Sequence, residues 1–222
     1  MDETLVTTRR ALHQVAEHVL SAARKRATGH EITLRPSPGG VRTPSLPDGR
    51  ILALIGDEIA VLEGRSERRA RLRTVRAAAE FAGVEPGFPW TKHPPGTDFE
   101  PDRPLQVDVT SARTLADWFA LGDAALRTLA DELAPAAPPE PQIFPEHFDL
   151  ALTIAEVNYG ASPGDDAIPL PYLYVGPFGG PPAGGDPFWN ADFGAYLPAG
   201  DVPSEQVALA FFHDGAKRLA RP

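Results

Sequence analysis

The sequence predicts an α+β fold, a mainly antiparallel sheet with hairpins packed against two long helices and a C-terminal helix. Three observations carry this. Apolar residues recur at helical spacing over 4–27 and again over 111–133. The run "RILALIGDEIAVLEG" (50–64) places two apolar, β-branched stretches around Gly56-Asp57, which suits a two-residue hairpin turn with glycine first. Strands come in such pairs while helices stand apart, so a parallel βαβ arrangement is not indicated.

The elements follow in order. Over 4–27 the stripe is Leu5, Leu12, Val15, Ala16, Val19, Leu20 and Ala23, with Gly29 just past its end as a stop. "EITLRP" (31–36) is a short strand, and "SPGGVRTPSLPDG" (37–49) is turn-rich. "RTVRAAAEFAG" (73–83) reads as a short helix capped by Thr74 and stopped by Gly83. Residues 84–107 are irregular and proline-rich, with Phe88, Trp90 and Phe99 placed to pin a segment that wraps the surface. In the second long helix Leu115, Trp118, Phe119, Ala125, Leu126 and Leu129 form the apolar face.

"APAAPPEPQ" (134–142) is a stiff, extended linker and marks the expected boundary. An N-terminal helix/hairpin subdomain, 1–137, and a C-terminal strand/helix subdomain, 143–222, are expected to pack as one unit. "HFDLALTIAEVN" (147–158) alternates as a strand, with a bend allowed at the weak strand residues Ala155, Glu156 and Asn158. "IPLPYLYVGPF" (168–178) is its partner, placed at an edge by Pro169 and Pro171. "GGPPAGGD" (179–186) is a loop and "DFGAYL" (192–197) a third strand. "SEQVALAFFHDGAKRLA" (204–220) closes the chain as a helix capped by Ser204, with Val207, Phe211 and Phe212 inward.

Composition bounds the function. The chain has 222 residues, 42% of them hydrophobic, enough for a real core. A net charge of −9 disfavours nucleic acid and anionic membrane as partners. Cysteine is absent, which removes disulfides, thiolate metal sites and a cysteine nucleophile. No apolar run is long enough to span a membrane, and no signal-peptide segment is evident, so the expected location is cytoplasmic.

Several motifs invite a chemistry. Gly160–Gly164 reads G-x-S-x-G, the pattern of a nucleophile elbow with Ser162 attacking. The next residue is Pro163, whose missing N–H leaves the oxyanion without its donor, and no helix follows. The stretch is therefore expected to be a turn. His147 and Asp149 could share a strand face and orient an imidazole or supply two metal ligands, with Asp165, Asp166 or His213 as a third, although no zinc spacing is present. In "HQVAEH" (13–18) the two histidines lie five apart, too far around a helix to share a metal, and are expected beside the apolar stripe. Arg65, Arg68, Arg69, Arg71, Arg73 and Arg76 form a basic run suited either to an anion or to pairing with the protein's own acids.

The densest polar and aromatic set lies in 147–196, which holds all four tyrosines. From it the expected ligand-binding residues are His147, Asp149, Tyr172, Tyr174, Trp189 and Asn190, forming a site for a small polar ligand. The alternatives are a metal-assisted hydrolase using His147 and Asp149, and a structural or protein-interaction module. The sequence specifies no cofactor and no oligomeric state. The runs "PEHFDLALTIAEVNYGASPGDD", "PYLYVGP" and "FWNADFGA", with "RPSPGGVRTP" and "LADWFALGDAAL", resemble an uncharacterised bacterial family, a resemblance that implies no residue roles.

Overall fold

The structure, a computed structural model, describes residues 3–89 and 95–220; Trp90 of the long loop lies outside them. The fold is α+β with two five-stranded sheets. One has the order β1 (Arg35–Ser37), β2 (Gly40–Arg42), β3 (Arg50–Ile55), β4 (Glu58–Glu63) and β5 (Ser66–Arg71). The other runs from β10 (Ala195–Pro198) through β9 (Tyr172–Pro177), β8 (Val157–Ser162) and β7 (Asp149–Ile154) to β6 (Gln142–Phe144). The chain forms two compact units, Met1–Asp117 with Ile143–Phe148, and Trp118–Gln142 with Asp149–Pro222. No helix among the described residues is long and apolar enough to cross a membrane.

In the first unit an antiparallel meander carries Val41, Leu52, Leu54, Ile59 and Val61 on one buried face. The hairpin at Gly56-Asp57 forms as expected. Gly56 has a φ of 59° and Asp57 stays out of the left-handed region, the type II′ pattern that matches strand twist. The N-terminal helix is α1 (Glu3–Val15), a π-helical stretch (Ala16–Ser21) and α2 (Ala22–Thr28), ended by left-handed Gly29. Helix α3 (Val75–Ala82) has Thr74 as its cap, accepting from the Ala77 amide at 3.0 Å, and Gly83 at φ 65° as its stop. It packs against β4 and the π stretch. Three features of this unit went unread in the sequence, β5 among them, which was legible only as a basic run. β2 is a three-residue strand amid prolines and glycines, and the π stretch has no propensity signature.

Helix α4 (Val109–Leu133) starts on Asp108, whose carboxylate accepts from the Ser111 amide at 2.8 Å. In the second unit its residues from Trp118 onward lie on the sheet face formed by Leu150, Leu152, Tyr159, Ala161, Leu173 and Val175. Trp118 Nε1 donates to the Ser162 carbonyl at 2.8 Å. Gly122 permits that approach, since a Cβ there would stand 2.5 Å from Ala161 Cβ. Helix α5 (Glu205–Leu219) packs on the same face, with Phe212 edge-on to Tyr159 and Gly215 against Val175. Ser204 holds the N-cap position of α5 without a side-chain capping bond.

The expected single strand over 147–158 is instead the end of a turn followed by a hairpin. Pro145–Phe148 forms a turn, β7 begins only at Asp149, and Ala155-Glu156 reverses the chain into β8. Both turn residues are left-handed, with φ of 48° and 62°. Neither is a residue that favours that region, so the turn is held by its ladder and by Phe178, whose amide donates to the Glu156 carbonyl at 2.9 Å. Replacing Ala155-Glu156 with Asn-Gly is expected to raise stability by about 1–2 kcal/mol, read as the shift in urea midpoint at constant slope. No gain would show that the left-handed backbone is not strained.

Candidate ligand-binding face

The Ala155-Glu156 reversal decides what meets in the second unit. It pairs Thr153 with Asn158 and Ala151 with Gly160, and the β8–β9 ladder then sets Gly160 opposite Tyr174 and Ser162 opposite Tyr172. Side chains alternate across a strand, so Asp149, Ala151, Thr153, Asn158, Gly160, Ser162, Tyr172, Tyr174 and Tyr196 share one face. Helices α4 and α5 cover the other.

On this face two tyrosines hold two carboxylates. The Tyr174 hydroxyl donates to Asp149 Oδ2, and the Tyr172 hydroxyl donates to Asp165 Oδ2 at 2.6 Å. Asp165 also accepts the amides of Ala167 and Ile168 on Oδ1, both at 2.7 Å, so it caps its own loop and anchors Tyr172 at once. Burial, and after it the neighbouring carboxylates, raise both phenols well above the usual tyrosine range. They are proton donors at any physiological pH. Gly160 makes room, because a Cβ there would overlap the Tyr174 ring.

Aromatic rings surround these pairs. Tyr172 lies 5.9 Å from Tyr196 and 6.5 Å from Phe193 between centroids, and Tyr174 lies 6.4 Å from Phe193. Phe193 is displayed by a tight bend in which Ala191 and Gly194 exchange backbone hydrogen bonds. Asp149 and Tyr172 are buried, Tyr174, Asn158 and Tyr196 half-buried, and Thr153 and Phe193 exposed. Thr153 donates to Asn158 Oδ1 at 2.6 Å at the open end. The face thus grades from the buried Asp149 carboxylate, through half-buried Asp165, to an accessible aromatic and amide rim.

Of the six residues singled out in the sequence, Asp149, Tyr172 and Tyr174 come together here. Asn190 uses its amide on the backbone of β10, donating to the Tyr196 carbonyl at 3.0 Å and accepting the Tyr196 amide at 2.9 Å. Trp189 stacks edge-on against Phe188, which contacts Phe211 of α5, so it belongs to the helix-covered side. His147 is exposed in the turn of the first unit, before left-handed Phe148. Phe193 was not singled out, since the bend that displays it has no sequence signature, and Asp165 was named only as a possible third metal ligand, since its bond to Tyr172 depends on the β8–β9 pairing.

Ser162 ends β8 buried, with its hydroxyl accepting the Gly164 amide at 3.1 Å, so it serves the turn. His213 pairs with Glu132 at 2.7 Å on the helix side, away from Asp165. Among the described residues no three histidine or carboxylate side chains converge as metal ligands.

The first unit holds a second polar cluster, one expected only at the edge of the apolar stripe. Glu17 and His18 lie in the π stretch and are fully buried. Glu17 accepts the amides of Gly96 and Thr97 at 2.8 and 3.0 Å and the Thr97 hydroxyl at 2.7 Å. The Phe88 amide donates to His18 Nδ1 at 3.2 Å, which puts the proton of a neutral imidazole on Nε2, 3.0 Å from the Thr97 hydroxyl oxygen. Neither ring nitrogen is left to act on a substrate. The cluster therefore reads as a latch for the loop residues Phe88, Gly96 and Thr97, and the available signal was two polar residues inside an otherwise apolar run, 15–20.

His13 joins that region, with Nε2 at 2.6 Å from the Pro145 carbonyl and its ring stacked on Phe148. Burial lowers its pKa to about 4, and burial lowers that of His18 as well. Between the ordinary value of 6.5 and about 4 the unfolded chain binds a proton that folded His13 does not. Stability is thus fully present above pH 6.5 and is lost as the pH falls toward 4, by about 3 kcal/mol from His13. Urea midpoints at pH 7, 5.5 and 4.5 should fall in step, and His13→Leu should flatten the decline. Equal slopes in the two proteins would contradict this.

In comparisons with known proteins, the chain matches no protein family, no curated protein and no solved structure.

Proposed function

We propose that this protein binds a small polar ligand on the tyrosine–carboxylate face of its second unit. The observation that supports the reading is the pairing of Asp149 with Tyr174 and of Asp165 with Tyr172 beside the accessible rings of Phe193 and Tyr196. Aromatic walls with a few fixed polar groups are the usual makings of a small-molecule site. The hydroxyls and carboxylates hold one another in place, so the face is organised before a ligand arrives. Asp149, Tyr172 and Tyr174 carry the contact, with Asn158 and Thr153 at the rim; His147, Trp189 and Asn190 stand outside it.

The test is a thermal-shift series with glycerol, glycine, ethanolamine and acetate as probes of different charge. A probe at 100 times its dissociation constant stabilises by about 2.7 kcal/mol, or about 5–10 °C in a chain of this size. At least one class is expected to raise the melting temperature of the wild type and not that of Tyr172→Phe. Equal shifts in both proteins, or none in either, would reject the reading.

A further inference from the structure

The edges of the sheets are not treated alike. At β10 the Asn190 side chain takes the place of a neighbouring strand, bonding both the amide and the carbonyl of Tyr196. Just before β1, Leu34 exchanges backbone hydrogen bonds with Ile143 at 2.8 and 2.9 Å. Strand β5 has no such cover. Among the described residues, Ser66–Arg71 make no backbone hydrogen bond except with β4.

The register says which groups face out. Glu63 and Ser66 close the β4–β5 hairpin as a hydrogen-bonded pair, and the Leu72 amide donates to the Asp57 carbonyl at 2.8 Å in the same phase. Glu67, Arg69 and Arg71 therefore point their amides and carbonyls away from β4. All three are exposed. An open edge of this length is a template for another strand.

Charge selects the strand. Arg65, Arg68, Arg69, Arg71 and Arg73 lie along or beside this edge in a protein of net charge −9. A second copy of β5 paired about Arg69 would oppose that arginine to itself, and only its Glu67 would meet an arginine, Arg71, so a strand acidic throughout is the better match to this edge. Arg69 meets Glu58 and Glu67 at the surface, and exposed Arg71 meets half-buried Asp57; the arginine side of each pair is open to an incoming carboxylate. Arg65 and Arg73 form no ion pair among the described residues. We infer that the free edge of β5 is a docking site for an acidic, extended segment of a partner protein, which joins the sheet as an added strand. Main-chain bonds to Glu67, Arg69 and Arg71 would give the grip and the arginines the selectivity.

The experiment uses the full chain and three fluorescein-labelled peptides: four Glu-Val repeats, four Lys-Val repeats, and the Glu-Val peptide with alternate backbone amides methylated. The Glu-Val peptide is expected to bind and to slow amide exchange at Glu67, Arg69 and Arg71. The Lys-Val peptide should not bind, and methylation should weaken binding about tenfold or more, since it removes the donors of the new ladder. The double variant Arg65→Glu/Arg73→Glu touches no ion pair among the described residues and should weaken Glu-Val binding by a similar factor. Equal binding of the methylated peptide, unchanged exchange at the three residues, or no binding of Glu-Val would each overturn the proposal.

Discussion

Glu17→Ala is expected to cost about 3–5 kcal/mol, the largest loss of any single polar substitution in the first unit. The side chain is fully buried and accepts three hydrogen bonds, from two backbone amides and a hydroxyl. Truncation leaves the donors of Gly96 and Thr97 unmet and opens space where the carboxylate stood. Hydrogen bonds to an acid are among the stronger ones, and unmet donors add their own desolvation cost. The amides of Gly96 and Thr97 should then lose protection from exchange well before the sheet does, because their acceptor has gone while the ladders remain. Unchanged protection at both amides would show that the latch is not what holds the segment.

Gly160→Ala is the second large effect, at about 3 kcal/mol. A Cβ at this position overlaps the Tyr174 ring, and that ring cannot withdraw without giving up its bond to Asp149. Overpacking and a lost charge-assisted hydrogen bond each cost up to about 3 kcal/mol, and here one displacement causes both. The discriminating measurement is a double-mutant cycle with Tyr174→Ala. Removing the ring removes the clash, so the pair should be strongly non-additive, with Gly160→Ala nearly harmless in the Tyr174→Ala background. Simple additivity would mean that the glycine serves some other purpose.

These two residues also mark the limits of reading the sequence. The hairpin at Gly56-Asp57, the Thr74 cap, the stops at Gly29 and Gly83 and the long helix ending at Leu133 were legible, because each rests on residue types whose backbone preferences are strong. Ala155-Glu156 carries no such preference. Its reversal is imposed by the pairing of β7 with β8, which only the folded chain supplies. Without it, Asp149 stands near the start of one strand, 147–158, and Ser162 in the turn beyond its far end. With it, they share an end beside Tyr172 and Asp165. Tyrosines and acids were visible as a dense set, while their partners were not. Likewise the arginine run was legible as a charged stretch, and its place on a sheet edge was not, since Ser66–Arg71 carries three arginines, a glutamate and a serine around the single apolar Ala70 and so has no apolar face to announce it.

The most direct test of a binding face on the second unit is the aromatic carbon–proton spectrum of tyrosine- and phenylalanine-labelled protein, titrated with glycerol, glycine, ethanolamine and acetate. The account predicts that a binding probe moves the ring signals of Tyr172, Tyr174, Phe193 and Tyr196 together, and that Asp149→Asn abolishes the movement. Movement confined to rings on the helix side, such as Phe188 and Phe211, or a titration unaffected by Asp149→Asn, would contradict it.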